Sequence, residues 1–133
     1  IIHPTGYVFN KKNIKQAAMD YISLVSLQEY DSWNSYIESN KDKRIILLST
    51  KGKIKYSDFQ FKESDCILVG RESAGVPEKV FNAVDEVITI PMSKNSRSLN
   101  VAVSAGIVLA ETRRQLVTWL RNKKLLLKIG LKT

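Results

Sequence analysis

The sequence predicts an α/β protein built on a mostly parallel sheet with helices on both faces. Three short apolar runs of strand length, each closed by a turn signal, alternate with helical spacings, and a long helical stretch follows the last run. Strands that alternate with helices form parallel sheets covered on both sides, and such strands read as unbroken apolar runs. With 133 residues, 44% of them hydrophobic, the chain has the length for one domain with a core.

The elements follow in order. Ile1-Ile2-His3-Pro4 reads as a strand end running into a Thr5-Gly6 turn. Residues 11–21 carry Ile14, Ala17, Ala18 and Tyr21 at helical spacing, and Ile22-Ser23-Leu24-Val25 is a short strand-like run. Helical spacing returns over 31–37, with Trp33 and Ile37 four apart. Residues 44–48, 66–69 and 86–90 are the buried strands, ended by Thr50-Lys51-Gly52, Gly70 and Pro91. A helix is expected over 77–84, with Pro77 in the first turn, where a missing N–H costs nothing. The longest helix is expected over 99–121, apolar on Val103, Ile107, Ala110 and Val117. Gly106 inside it costs roughly 1 kcal/mol relative to alanine, which suggests close packing there, against a second subunit for example.

Composition excludes several classes. The single Cys66 makes no internal disulfide, and with the single His3 it cannot furnish a structural zinc site; both are expected in packing roles, in a reducing compartment. A Ser-His-Asp hydrolase is equally unsupported, because His3 stands beside Pro4 at the chain's start. No carboxylate cluster suggests a magnesium nuclease, and no glycine-rich phosphate or dinucleotide loop is present. No signal peptide or spanning segment is visible, so the expectation is a soluble, cytoplasmic protein. The net charge of +8 lies wholly in the last 41 residues, where nine Lys and Arg face Glu111 alone, as in a domain with one phosphate-facing end.

Ligands of parallel sheets bind at the carboxyl ends of the strands, and there the unusual residues stand. After the second strand comes Gly70-Arg71-Glu72-Ser73-Ala74-Gly75-Val76-Pro77, in which Gly70 permits close backbone approach and Gly75 a left-handed turn. After the third comes Pro91-Met92-Ser93-Lys94-Asn95-Ser96-Arg97-Ser98-Leu99-Asn100, with Ser98 expected to cap the long helix and leave its amide end free for a ligand.

The stretch from Val69 to Pro77, and Ile90-Pro91-Met92 with the run from Ser98 to Ala105, resemble the second and third motifs of the SPOUT class of RNA methyltransferases. The likeness is greater to its small bacterial tRNA (cytidine/uridine-2′-O-)methyltransferases of the TrmL or YibK type, which modify the wobble nucleotide of leucine tRNAs. It extends over residues 1–118, including Met19-Asp20-Tyr21 and the stretch from Leu48 to Gly52. It implies one methyltransferase domain over 1–118, a basic extension over 119–133, and a C-terminal trefoil knot. It also implies a homodimer acting on tRNA, with no membrane and no metal. S-adenosylmethionine would be held by Leu48, Gly70, Ile90, Met92, Ser98 and Leu99. Arg97, Glu72 and Asn100 are the candidates at the reacting nucleotide, and Arg71, Lys94 and Arg97 at the RNA. The family's hydroxyl-activating arginine belongs to a first motif, Asn-x-Gly-Asn-x-x-Arg-like, that precedes the strand with which Ile1 aligns. A chain lacking that strand and motif is expected to be a truncated form or inactive as it stands. Two other readings remain open: a noncatalytic RNA-binding module with a retained cofactor pocket, and a 2′-O-methyltransferase of another RNA. A flavodoxin-like small-molecule binder would need a phosphate loop after the first strand. The tail from Trp119 reads either as a wider RNA surface or as a frayed helix end, and Trp33 and Trp119 read as core or interface residues.

Overall fold

The computed structural model describes residues 1–5, 10–18, 23–71 and 74–128, with the backbone alone for 17, 18 and 119–128. The chain divides into two compact units, residues 1–42 and 43–133. In the first, Ile2 bridges Tyr30 in parallel, with the His3 N–H donating to the Tyr30 carbonyl at 2.9 Å. Helix α1 (Lys11–Ala18) starts at Asn10, whose side-chain oxygen accepts from the Lys12 N–H at 2.9 Å. The expected continuation through Tyr21 lies outside the described residues. Ser23 and Leu24 form a tight helical turn rather than a strand. Leu24 is 81% exposed and Val25 59%, so among the described residues no strand or core covers them. Helix α2 (Trp33–Ser39) is opened by a Ser32–Ser35 capping box and closed by Asn40, a buried side chain that donates to the Tyr36 carbonyl at 2.8 Å. Trp33 stacks on Tyr36 at 5.7 Å, and His3 hydrogen-bonds Glu29 at 3.2 Å.

The second unit holds the sheet. Strands β1 (Ile45–Leu48), β2 (Ile54–Lys55), β3 (Cys66–Val69) and β4 (Glu86–Thr89) lie in the order β2-β4-β1-β3, and all pairs are parallel. Central β1 is buried on both faces, with Ile45, Ile46 and Leu47 at most 3% exposed. The expectation that 66–69 is buried likewise does not hold: β3 is an edge strand and is only half-buried. One face of the sheet packs Ile46 and Ile88 against Phe59, Phe61 and Val108. Ile45 and Leu47 alternate to the opposite face, so that face is covered as well.

Helix α3 (Glu78–Phe81) is a single turn, shorter than expected, and helix α4 (Val101–Lys128) begins two residues later than expected and continues past 121. Among the described residues no helix is long and apolar enough to cross a membrane. A Cβ placed at Gly106 would meet no atom within 4 Å, so among the described residues the expected close packing there does not occur.

The link between β1 and β2 explains the topology. Leu48 and Ile54 both pair with Ile88, one on each side of β4. Residues 49–53 therefore step sideways over β4 instead of returning along the sheet, and the dozen residues of an ordinary parallel crossover are unnecessary. Gly52 rides on β4 so closely that a Cβ there would lie 2.5 Å from the Ile88 carbonyl carbon. This arch is fixed by the Ser49 N–H donating to Ile88 at 3.0 Å and the Gly52 N–H donating to Ser49 at 3.1 Å.

Two polar clamps hold the unit together. Arg44 grips Asp65 with two hydrogen bonds, at 2.8 and 2.7 Å, while its guanidinium lies over the Phe59 ring. The Gln115 side chain of α4 accepts from the Phe61 N–H at 3.0 Å and donates to the Phe59 carbonyl at 2.9 Å, copying the hydrogen bonds of a neighbouring strand. Glu111 aligns this amide at 2.8 Å. Its carboxyl is lowered to about 2, first by hydrogen bonds from Arg114 and then by that from Gln115. Gln115→Ala strands both backbone groups and is expected to cost about 2 kcal/mol in urea-unfolding stability, whereas Arg114→Ala, at an exposed pair, is expected to leave it nearly unchanged.

Candidate functional site

The carboxyl ends of β1, β3 and β4 open into one cavity of about 300 Å³, at the small end of the range for small-molecule sites. Its apolar lining includes Leu48, Val69, Ile90 and Leu99, each at or just beyond a strand end or before α4. Leu48, Gly70, Ile90, Met92, Ser98 and Leu99, separated by up to 51 positions in sequence, all line it. Arg71 lines it too.

Backbone hydrogen bonds fix the wall after β3. The Arg71 N–H donates to the Gly75 carbonyl at 2.9 Å and the Gly75 N–H to the Arg71 carbonyl at 2.8 Å, closing a tight loop. Gly75 turns with φ +65, the left-handed conformation expected of it. A Cβ at Gly70 would lie 2.5 Å from the Gly75 carbonyl carbon, so only glycine lets the loop fold back on the strand. Glu72 lies outside the described residues, and nothing is assigned to it from geometry.

The wall after β4 differs from expectation at the helix start. Asn100, not Ser98, caps α4: its side-chain oxygen accepts from the Ala102 N–H at 2.8 Å and the Val103 N–H at 3.3 Å. Those amides are therefore satisfied within the chain rather than free for a ligand, and Ser98 is released to line the cavity. Residues 93–96 form a turn closed by the Ser96 N–H donating to the Ser93 carbonyl at 3.0 Å and by a hydrogen bond between the two hydroxyls. Lys94 and Arg97 are exposed on this loop, outside the cavity lining, and Asn100 likewise contributes through the cap rather than the lining.

Sequence reasoning missed the residues of the arch. Ser49, Thr50 and Lys51 line the cavity because the chain turns sideways directly after Leu48. The signal was available, since these residues follow a buried strand at its carboxyl end. Lys51 and Arg71 are the charged side chains among the lining residues.

Comparison with known proteins places this architecture. Residues 1–110 match the SpoU rRNA Methylase family. The chain is 43% identical over 119 residues to the tRNA (cytidine(34)-2′-O)-methyltransferase of Beijerinckia indica subsp. indica, covering 86% of this chain and 73% of that one. To the protein of the same description from Escherichia coli K12 it is 29% identical over 118 residues, covering 87% and 75%. A solved structure described as giving structural insights into the 2-OH methylation of C/U34 on tRNA is similar with a TM-score of 0.80 at 34% identity, covering 88% of this chain and 77% of that chain. With the family match spanning residues 1–110 and a relative 43% identical over 86% of its length, the chain belongs to the SpoU methylase family.

Proposed function

We propose that this chain transfers a methyl group from S-adenosylmethionine to the ribose 2′-hydroxyl of the wobble nucleotide of tRNA, in the cytoplasm, with leucine tRNAs as its substrates. The observation that carries this reading is the convergence of Leu48, Gly70, Ile90, Met92, Ser98 and Leu99 on one cavity. Relatives named for methylation at cytidine 34 support the substrate class.

The residues present fit the methyl donor. Apolar Leu48, Val69, Ile90 and Leu99 offer faces for a flat heteroaromatic ring, and Gly70 and Gly75 bring backbone to the wall. When bound, S-adenosylmethionine supplies a methyl group already activated on a positively charged sulfur. The chain's own task is to hold the acceptor hydroxyl in line and to stabilise its charge, which is positioning and electrostatics. Arg97, one residue before cavity-lining Ser98, is assigned to the reacting nucleotide. Arg71 and Lys94 are assigned to the RNA backbone. Asn100 acts as a positioning residue, fixing the helix start and with it Ser98 and Leu99. Glu72 is kept as a site residue on its motif alone. The reading requires no metal ion.

Residues 1–118 are taken as one methyltransferase domain and 119–133 as a basic extension. The entry of β4 between β1 and β2 under the arch 49–53 supports a trefoil knot in this domain. A homodimer belongs to the same reading: Val103, Gly106, Ala110 and Val117 recur on α4 at intervals of three, four and seven and are all exposed.

Incubation of the full-length protein with methyl-labelled S-adenosylmethionine and bulk tRNA, followed by digestion, is expected to release labelled 2′-O-methylated cytidine or uridine from position 34. Label at a different position would favour a methyltransferase of another RNA site. Donor binding without label would favour the noncatalytic module.

A further inference from the structure

The arch 49–53 carries more than the link between two strands. Lys51 stands on it at the cavity, exposed, with its own N–H donating to the Ser49 side-chain oxygen at 3.2 Å. Lys53 and Lys55 follow at alternate positions leading into and along β2, and both are exposed. Lys51 stands in the turn of the arch, Lys53 directly precedes β2 and Lys55 lies on it. Because β2 pairs with β4 alone, this row lies on the free edge of the sheet. No acidic residue interrupts it, and among the described residues none of the three lysines forms an ion pair. Asp58, the next carboxylate along the chain, accepts a hydrogen bond from the Ser57 hydroxyl. Three unpaired cations in a row repel one another, and a polyanion with regularly spaced charges relieves that repulsion.

We infer that Lys51, Lys53 and Lys55 form a strip that holds the sugar–phosphate backbone of the RNA strand whose nucleotide enters the cavity; the inference rests on the RNA-methylating function proposed above. A run of exposed cations that leads from the sheet edge to the cavity suits a strand of phosphodiesters. Binding there is set by charge and not by base sequence, so the strip orients the strand while the cavity selects the nucleotide.

The test compares the full-length protein with Lys53→Gln/Lys55→Gln and, as a control of equal charge loss, with Lys41→Gln/Lys43→Gln. Binding of bulk tRNA is measured across salt concentrations, alongside calorimetric binding of S-adenosylhomocysteine and methyl transfer. The strip variant is expected to bind tRNA about tenfold more weakly near physiological salt and to lose about 1.5 from the slope of log affinity against log salt. The control should change neither, and cofactor binding should stay intact in both. Unchanged tRNA affinity and slope in the strip variant would overturn the inference and leave the lysines as guards against strand addition at the sheet edge. Equal losses in strip and control variants would overturn it as well. Absence of methyl transfer in the unmodified protein would count against the transferase function, while the salt slopes would still decide the strip.

Discussion

Gly70→Ala is expected to weaken binding of S-adenosylhomocysteine roughly 10- to 100-fold, as read by calorimetric titration. The added methyl would sit 2.5 Å from the carbonyl carbon of Gly75, 2.8 Å from its Cα and 2.9 Å from its oxygen. All three are backbone atoms, so no side chain can swing aside and the loop 71–75 must move. That motion breaks the paired hydrogen bonds between Arg71 and Gly75 and shifts the cavity wall. Gly75→Ala provides the contrast. At φ +65 it carries about 1–2 kcal/mol of backbone strain, yet its Cβ would meet nothing within 4 Å. Its effect on affinity should stay below about tenfold. Equal losses from the two variants, or none from Gly70→Ala, would refute the role of the backbone wall.

Asp65→Asn is expected to lower unfolding stability at neutral pH by about 3 kcal/mol, seen as a fall of roughly 10 °C in Tm. The Asp65 side chain is 1% exposed and receives Arg44 twice and the Lys62 N–H once. Burial alone would raise its carboxyl, but these hydrogen bonds and the Arg44 charge outweigh burial and hold it below the ordinary value. Arg44 is raised in turn, chiefly by its bond to Asp65. A carboxyl depressed in the folded state contributes stability that is complete above its unfolded value of about 3.9 and is lost as pH falls through the folded value. The gap between the two proteins should therefore be constant above about pH 5 and narrow in more acidic solution. A gap that widened on acidification would contradict this assignment.

Much of the sheet was legible because β1 and β4 carry their burial in their own residues. Ile45, Ile46 and Leu47 form an apolar run that only an interior strand needs. The same signal misled at Leu24 and Val25, since a run of apolar residues reports composition and not the presence of a neighbour. Strand β2 was invisible for the converse reason. Ile54 and Lys55 are exposed and owe their strand geometry to backbone pairing with β4, which no side-chain pattern encodes. The cavity positions were recovered through the motif likeness, while Lys51 was missed because its place depends on the sideways step after Leu48. At the start of α4, Ser98 and Asn100 are both good caps, and the choice between them is made by where the helix begins.

The sideways step also dictates a schedule. During synthesis, residues 45–55 emerge well before 86–89, the strand that pairs with both β1 and β2 in the folded sheet. Leu48 and Ile54 have no common partner until Ile88 is made. The sheet is therefore closed by its last strand, and the chain must complete contacts distant in sequence before the early ones are rewarded, a condition that slows folding. The wall built by Ile90, Met92, Ser98 and Leu99 follows that closing strand, so a nascent chain ending before residue 90 lacks one side of the pocket.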